Sequence, residues 1–270
     1  MIESVRSPWS DHVVSSGGVD IAVRDHGGAG DAVVLLHGGG RTMDDWHLVV
    51  PLLLDAGLRV VAMDLRGHGN SGPALWSWSD AVDDLAEVID RLDLGRPAVL
   101  GHSLGGLVAA VWATRHPECP LAVNLDGHTN PVGPFDLDGD AALAAERTMR
   151  DFLDTSVREA GDPALARLVA ELGSLDLFAT YRATRCPLLV VASAGLGGED
   201  LLPPETATAF AAYQRGFARE LAEVAAATPL LSVVDVATNH YVHLEAPGRV
   251  ADLVLDRLAR SPGDERGWTA

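Results

Sequence analysis

Pro97-Ala98-Val99-Leu100-Gly101-His102-Ser103-Leu104-Gly105-Gly106-Leu107-Val108 reads as three things in succession: a short buried strand, a tight turn between glycines, and an apolar helix running on to Arg115. A serine on such a turn is held in a strained backbone geometry. Small neighbours let strand and helix approach while the hydroxyl projects above the sheet. The Leu104 N–H, at the helix N-terminus, then faces the place where negative charge develops during attack on a carbonyl. A second donor is expected from His37-Gly38-Gly39-Gly40, which leaves the strand Ala32 to Leu36 at its C-terminal end; Gly39 N–H is the candidate. A lone G-x-S-x-G arises by chance, and the elements on both sides give this one its weight.

Outward from the turn, short apolar runs alternate with patterns of helical spacing, the signature of a layered α/β domain with a parallel sheet. Val13 to Arg24 holds two short runs around Gly17-Gly18 and reads as an opening antiparallel hairpin. Strands follow at Ala32 to Leu36, Arg59 to Met63, Pro97 to Leu100, Leu121 to Leu125, Pro187 to Ala192 and Leu230 to Val236. Helices are expected at Asp44 to Ala56, Ser79 to Leu92, Leu104 to Arg115, Glu205 to Ala227 and Pro247 to Ala259. From about Thr129 to Arg185 the rhythm breaks, with Pro/Gly/Asp turns and helical patterns at Ala141 to Val157 and Pro163 to Leu172. The expected organisation is a core of residues 1–128 and 187–270 with a helical insertion at 129–186. Ser261 to Ala270 reads as a loose polar tail.

Composition removes other classes of function. At 270 residues the chain suits one domain with an insertion, at roughly 100 to 200 residues per domain. Its 38 acidic residues against 20 basic, all arginine, give a formal charge of −18. Nucleic acid and anionic membrane surfaces repel such a chain, and neither is expected as a partner. The absence of lysine excludes Schiff-base, Walker-type and lysine-base chemistry. Cys119 and Cys186 lack the spacing of a disulfide framework or zinc cluster and read as small buried hydrophobes. With no signal-like start and no membrane-length apolar run, a cytoplasmic protein is expected.

A serine hydroxyl needs a base. Of the ten histidines, His240 follows the last strand within Asn239-His240-Tyr241-Val242-His243-Leu244-Glu245-Ala246-Pro247, which places it on the same sheet edge as Ser103. His243, three residues on, is the competitor and better suited to packing the following turn. Together with Asp64-Leu65-Arg66-Gly67-His68-Gly69-Asn70-Ser71, these motifs resemble the α/β-hydrolase superfamily over the whole chain. The resemblance implies a mostly parallel eight-stranded sheet with helices on both faces and a helical cap after strand six. It also implies that the serine after strand five attacks and the histidine after strand eight is the base.

The acid is where the chain departs from that pattern. The family usually carries it just after strand seven, where Leu196 stands here. Either a lengthened loop brings Asp200 to the histidine, or the acid has moved to Asp126 at the end of strand six. Haloalkane dehalogenases and zearalenone-type lactonases place theirs after strand six, and the 23 positions from Ser103 to Asp126 resemble their spacing. Asp126 is the preferred reading, Asp200 the alternative, and a mere turn cap the plain one.

A serine in place of an aspartate nucleophile argues against dehalogenase and epoxide hydrolase chemistry. The expected activity is hydrolysis of a small, largely apolar ester, lactone or thioester. Carbon–carbon bond hydrolysis, or a receptor-like ligand binder on the same fold, are the alternatives. Gly38, His102, Trp76, Phe135, Phe152 and Phe178 are candidate substrate-lining residues, although such aromatics are more often plain core. Gly67-His68-Gly69-Asn70-Ser71-Gly72 fits G-x-G-x-x-G but lacks the helix that would follow in a dinucleotide site. Neither cofactor nor metal is expected, and the partner is a small-molecule substrate for a monomer or homodimer.

Overall fold

Val33, Leu35, Val60 and Ala62 point to one side of their strands and Val34, Leu36, Val61 and Met63 to the other, and all eight are buried. Strands apolar on both faces demand cover on both faces, as in a parallel sheet between helix layers. The computed structural model, describing residues 9–195, 197 and 201–259, has that arrangement. Strands β1 (Ser10–Ser16), β2 (Val19–Asp25), β3 (Ala32–Leu36), β4 (Arg59–Met63), β5 (Ala98–His102), β6 (Ala122–Leu125), β7 (Leu188–Ser193) and β8 (Leu231–Val236) form one eight-stranded sheet. Its order is β1-β2-β4-β3-β5-β6-β7-β8; β1 and β2 run antiparallel at one edge and the rest is parallel.

On one face lie α2 (Trp78–Arg91), α3 (Leu104–Arg115) and α7 (Pro204–Ala227); on the other lie α1 (Val50–Asp55) and α9 (Pro247–Ala259). After β6 the chain leaves the sheet for the cap helices α4 (Gly139–Ala160), α5 (Pro163–Ser174) and α6 (Leu177–Arg182), and α8 (Val242–Glu245) is one turn after β8. The expected helix over Asp44 to Ala56 is in fact two pieces, a 3₁₀ turn at Met43–Leu48 and then α1. Pro51 explains the break: it has no N–H to continue a ladder from the preceding turn, but suits the first turn of a new helix. Cys119 and Cys186 are free and buried, as expected of small apolar side chains.

The sequence Asp64 to Gly72 is a turn wrapped around a buried carboxylate. Asp64 Oδ1 accepts from Met43 N at 2.7 Å and Oδ2 from Asn70 N at 2.8 Å, while Ser71 Oγ donates to the Asp64 carbonyl. A Cβ at Gly69 would stand 2.2 Å from Asp64 Oδ2, so its glycines serve that turn. Arg66 ties the turn to α2 through two 2.7 Å bonds to Asp84, itself buried, and one of 2.8 Å to Asp80. Arg66→Met would leave the Asp84 carboxylate buried without its cation, at an expected cost of about 3 to 5 kcal/mol, read as a lowered urea midpoint.

Candidate active site

Ser103 stands between β5 and α3 with φ 50° and ψ −114°, a strained conformation for a residue with a Cβ. The turn closes because its flanks are bare. A Cβ at Gly101 would lie 2.0 Å from the Gly105 carbonyl oxygen, and one at Gly105 2.3 Å from that of Leu36. Gly105 N bonds the His37 carbonyl at 3.1 Å and Ser103 N the Leu125 carbonyl at 2.9 Å, so the turn is fastened to the strands on either side. Leu104 begins α3, where the first amides have no partner within the helix.

The glycine run after β3 lies against this turn. A Cβ at Gly38 would meet Ser103 Cβ at 3.3 Å and His102 Nδ1 at 2.8 Å; one at Gly39 would touch the Leu104 side chain and, at 3.7 Å, Leu168 of α5. Beneath them His37 is fully buried, donating from Nδ1 to the Gly38 carbonyl at 2.7 Å and accepting Leu65 N at Nε2 at 2.9 Å. That pattern fixes a neutral imidazole, and burial pushes its pKa down to about 4.

Asp126 directly follows β6, again at positive φ (53°) and 2% exposed. Its Oδ2 lies 2.7 Å from His240 Nδ1 and accepts Ser193 Oγ at 2.8 Å; its Oδ1 accepts Ser193 N at 2.7 Å and His128 Nε2 at 3.1 Å. Burial alone would raise this carboxyl, but bonds from His128, His240 and Ser193 hold it well below the usual carboxylate range. The acid turn packs on the serine turn, for a Gly127 Cβ would stand 2.5 Å from the Ser103 carbonyl oxygen. Asn124 shapes it, accepting Gly127 N at 2.7 Å and donating to the Gly127 carbonyl and, at 2.8 Å, to the Tyr181 hydroxyl. Leu196, at the family's usual acid position, and Asp200, the alternative acid, lie outside the described residues.

His240 is held from behind as well. His102 Nε2 donates to the His240 carbonyl at 2.9 Å, with the rings 4.7 Å apart, so the histidine loop rests on the residue next to Ser103. His102, expected to line the substrate site, is 1% exposed. Its ring is a spacer between the glycine run and the histidine loop. His243 is fully buried against His102 and Trp46, at 4.3 and 4.9 Å, which is the packing role its position suggested. Asn239 anchors the loop through its N–H and side-chain amide to Glu245, and accepts Tyr241 N at 2.8 Å.

The aromatic candidates divide. Trp76 is buried, edge-on to His68 and Trp78, and Phe135 packs edge-on to Tyr213; both belong to the main core. Phe178 lies 5.1 Å from Phe217, whose ring is 4.7 Å from His128. Phe152 is half-buried on α4. The cap helix α5 is tied to α2 by Trp78 Nε1 to the Glu171 carbonyl at 3.0 Å, and within the insertion Asn130 Nδ2 bonds the Val169 carbonyl at 2.9 Å.

Residues 33–253 match the model of the alpha/beta hydrolase family. The chain belongs to that family. It is 36% identical over 115 residues to a bifunctional esterase/perhydrolase of Acinetobacter calcoaceticus, covering 41% of each chain. It is 35% identical over 123 residues to a 2-succinyl-6-hydroxy-2,4-cyclohexadiene-1-carboxylate synthase, so named provisionally, of Bacillus subtilis, covering 44% of each. The matches thus span about two-fifths of the length of these relatives. Among solved structures, E-2-(acetamidomethylene)succinate hydrolase superposes with a TM-score of 0.66 at 20% identity, over 93% of this chain and 100% of that one. The enol-lactonase of Burkholderia xenovorans gives 0.64 at 20% identity, over 92% and 100%. At such identities the likeness speaks for the fold.

Within this α/β-hydrolase, Ser193, His128, Phe217 and Leu168 are site neighbours that sequence reasoning passed over. Ser193 could have been found, since it ends the strand beside β6 and shares its edge. Phe217 and Leu168 carry no local signal. The buried histidines also set a stability window: the pKa values of His37 and His243 fall to about 4 and that of His102 falls too, all through burial, against an ordinary value of 6.5. The unfolded chain therefore binds more protons below 6.5, and stability falls as pH drops from about 6.5 toward 4. Asp126 is also shifted down, but because hydrogen bonds favour its charged form, so its contribution is lost only at lower pH, as the pH falls below the ordinary carboxylate range. Urea midpoints at pH 7, 6 and 5 should decrease steadily, with a shallower decrease in His243→Phe.

Proposed function

We propose that the chain is a serine hydrolase acting on a small, largely apolar ester, lactone or thioester through an acyl-enzyme on Ser103. The observation that carries this reading is the 2.7 Å contact of the buried Asp126 carboxylate with His240 Nδ1, on the sheet edge that also carries the strained Ser103 turn. An ionised carboxylate only accepts, so Nδ1 carries the proton and Nε2 is left with its lone pair. On this reading His240 takes the Ser103 proton as the oxygen attacks, and the Leu104 and Gly39 amides hold the oxyanion. The imidazolium then protonates the leaving alcohol or thiol; water, deprotonated by the same Nε2, releases the acid. Asp126 fixes the tautomer and stabilises the imidazolium. The esterase and lactonase names among its relatives fit an acyl substrate. So do the apolar Leu168 and Phe178 on the cap side.

A fluorophosphonate probe should label the wild type and not Ser103→Ala. Asp126→Asn should lower kcat on p-nitrophenyl esters by about 10⁴, as loss of the orienting acid does elsewhere. Labelling that survives Ser103→Ala, or an Asp126→Asn variant of full activity, would sink the assignment.

A further inference from the structure

We propose that His128 is a positioning residue of this site: its Nε2–H shares the Asp126 carboxylate with His240 and so tempers how firmly the acid holds a proton on His240. The proposal rests on the hydrolase reading and adds a second imidazole to it. Each oxygen of Asp126 carries one serine donor and one histidine: Ser193 N and His128 on Oδ1, Ser193 Oγ and His240 on Oδ2. Because a carboxylate only accepts, the 3.1 Å contact requires the proton on His128 Nε2. The ring is fixed there, edge to face with Phe217 at 81° and with Nδ1 buried and unpartnered; its side chain is 26% exposed.

Every donor on a carboxylate draws off some of the negative charge that the others feel. The titratable groups that act on Asp126 are His128 from the chain after β6, His240 and His102 from the neighbouring turns, and the Tyr181 and Tyr213 phenols from α6 and α7. Burial pushes both phenols up, so they stay neutral, and Phe217 and Ser193 bring no charge. Removing the His128 donor concentrates charge on Oδ2 and favours imidazolium at His240. The base is then disabled at a higher pH.

The test compares His128→Phe, which keeps a ring on Phe217 and deletes the donor, with His128→Gln, which keeps a side-chain N–H and deletes the ring. The pH dependence of p-nitrophenyl acetate kcat/KM is measured for both and for wild type. The acid limb should move upward by about half a pH unit in His128→Phe, a loss of about threefold in rate on that limb. His128→Gln should overlay the wild type. An unmoved limb in His128→Phe, or equal movement in both, reduces His128 to packing and overturns the proposal. His128→Leu replaces the Phe variant if that does not fold. Imidazole proton NMR, with His240 assigned through His240→Gln, reads the same displacement without turnover. Wild-type protein that no fluorophosphonate labels therefore removes the hydrolase reading, and the NMR comparison still decides the role of His128.

Discussion

A single buried carboxylate organises the C-terminal end of the central parallel strands. Asp126 is 2% exposed, and a charge so far from water is tolerated only when its lone pairs are filled. The four donors come from the chain just after β6, from the end of β7 and from the loop after β8. The three from Ser193 and His240 are available only once β7 and the loop after β8 are in register with β6. The parallel pairing of β6 with β7 and β7 with β8 is thus a condition for the anion to be buried at all.

A second constraint is steric. The Ser103 turn and the Asp126 turn both hold a residue with a Cβ at positive φ, among only three such non-glycine positions in the described residues. Strain of roughly 1 to 3 kcal/mol per residue persists only where surroundings enforce it. Here they do: bonds from Ser103 N to Leu125 and from Asp126 N to Val191 stitch each turn to the next strand, and Asn124 clamps the acid turn from inside. The histidines behind them are held toward the neutral form because burial opposes charging, so His37 and His102 act as hydrogen-bonding spacers between the turns.

Much of this was legible in the residues. β3, β4 and α3 have the bounds expected from their apolar runs, because strands covered on both faces and a fully buried helix leave no polar ambiguity at their ends. Ser103, His240 and Asp126 were readable because each follows a strand at the same edge, and topology brings such ends together. What failed was short or side-dependent. Six-residue α6 and four-residue α8 offer too few turns for a periodic signal. The Met43–Leu48 turn was merged with α1 because spacing alone does not distinguish 3₁₀ from α geometry. His102 was assigned to the substrate side, although the sequence does not say on which side of the turn a ring falls.

The cap is built differently from the site it covers. None of the α5 residues is fully buried, whereas ten of the twelve in α3 are. α5 is attached through a few side-chain-to-carbonyl bonds, among them Trp78 to Glu171 and Asn130 to Val169, and through partly buried leucines such as Leu168 over Gly39, whereas α4 and α6 bury Met149 and Tyr181 in the main core. Burial of apolar area is what makes a segment costly to open. The sheet edge, with its filled carboxylate and interlocked turns, therefore belongs to the stable part of the molecule, and α5 to the part that opens at small cost. The two parts thus rest on different terms: the sheet edge on filled polar groups and strain that its neighbours enforce, α5 on a few apolar contacts over Gly39.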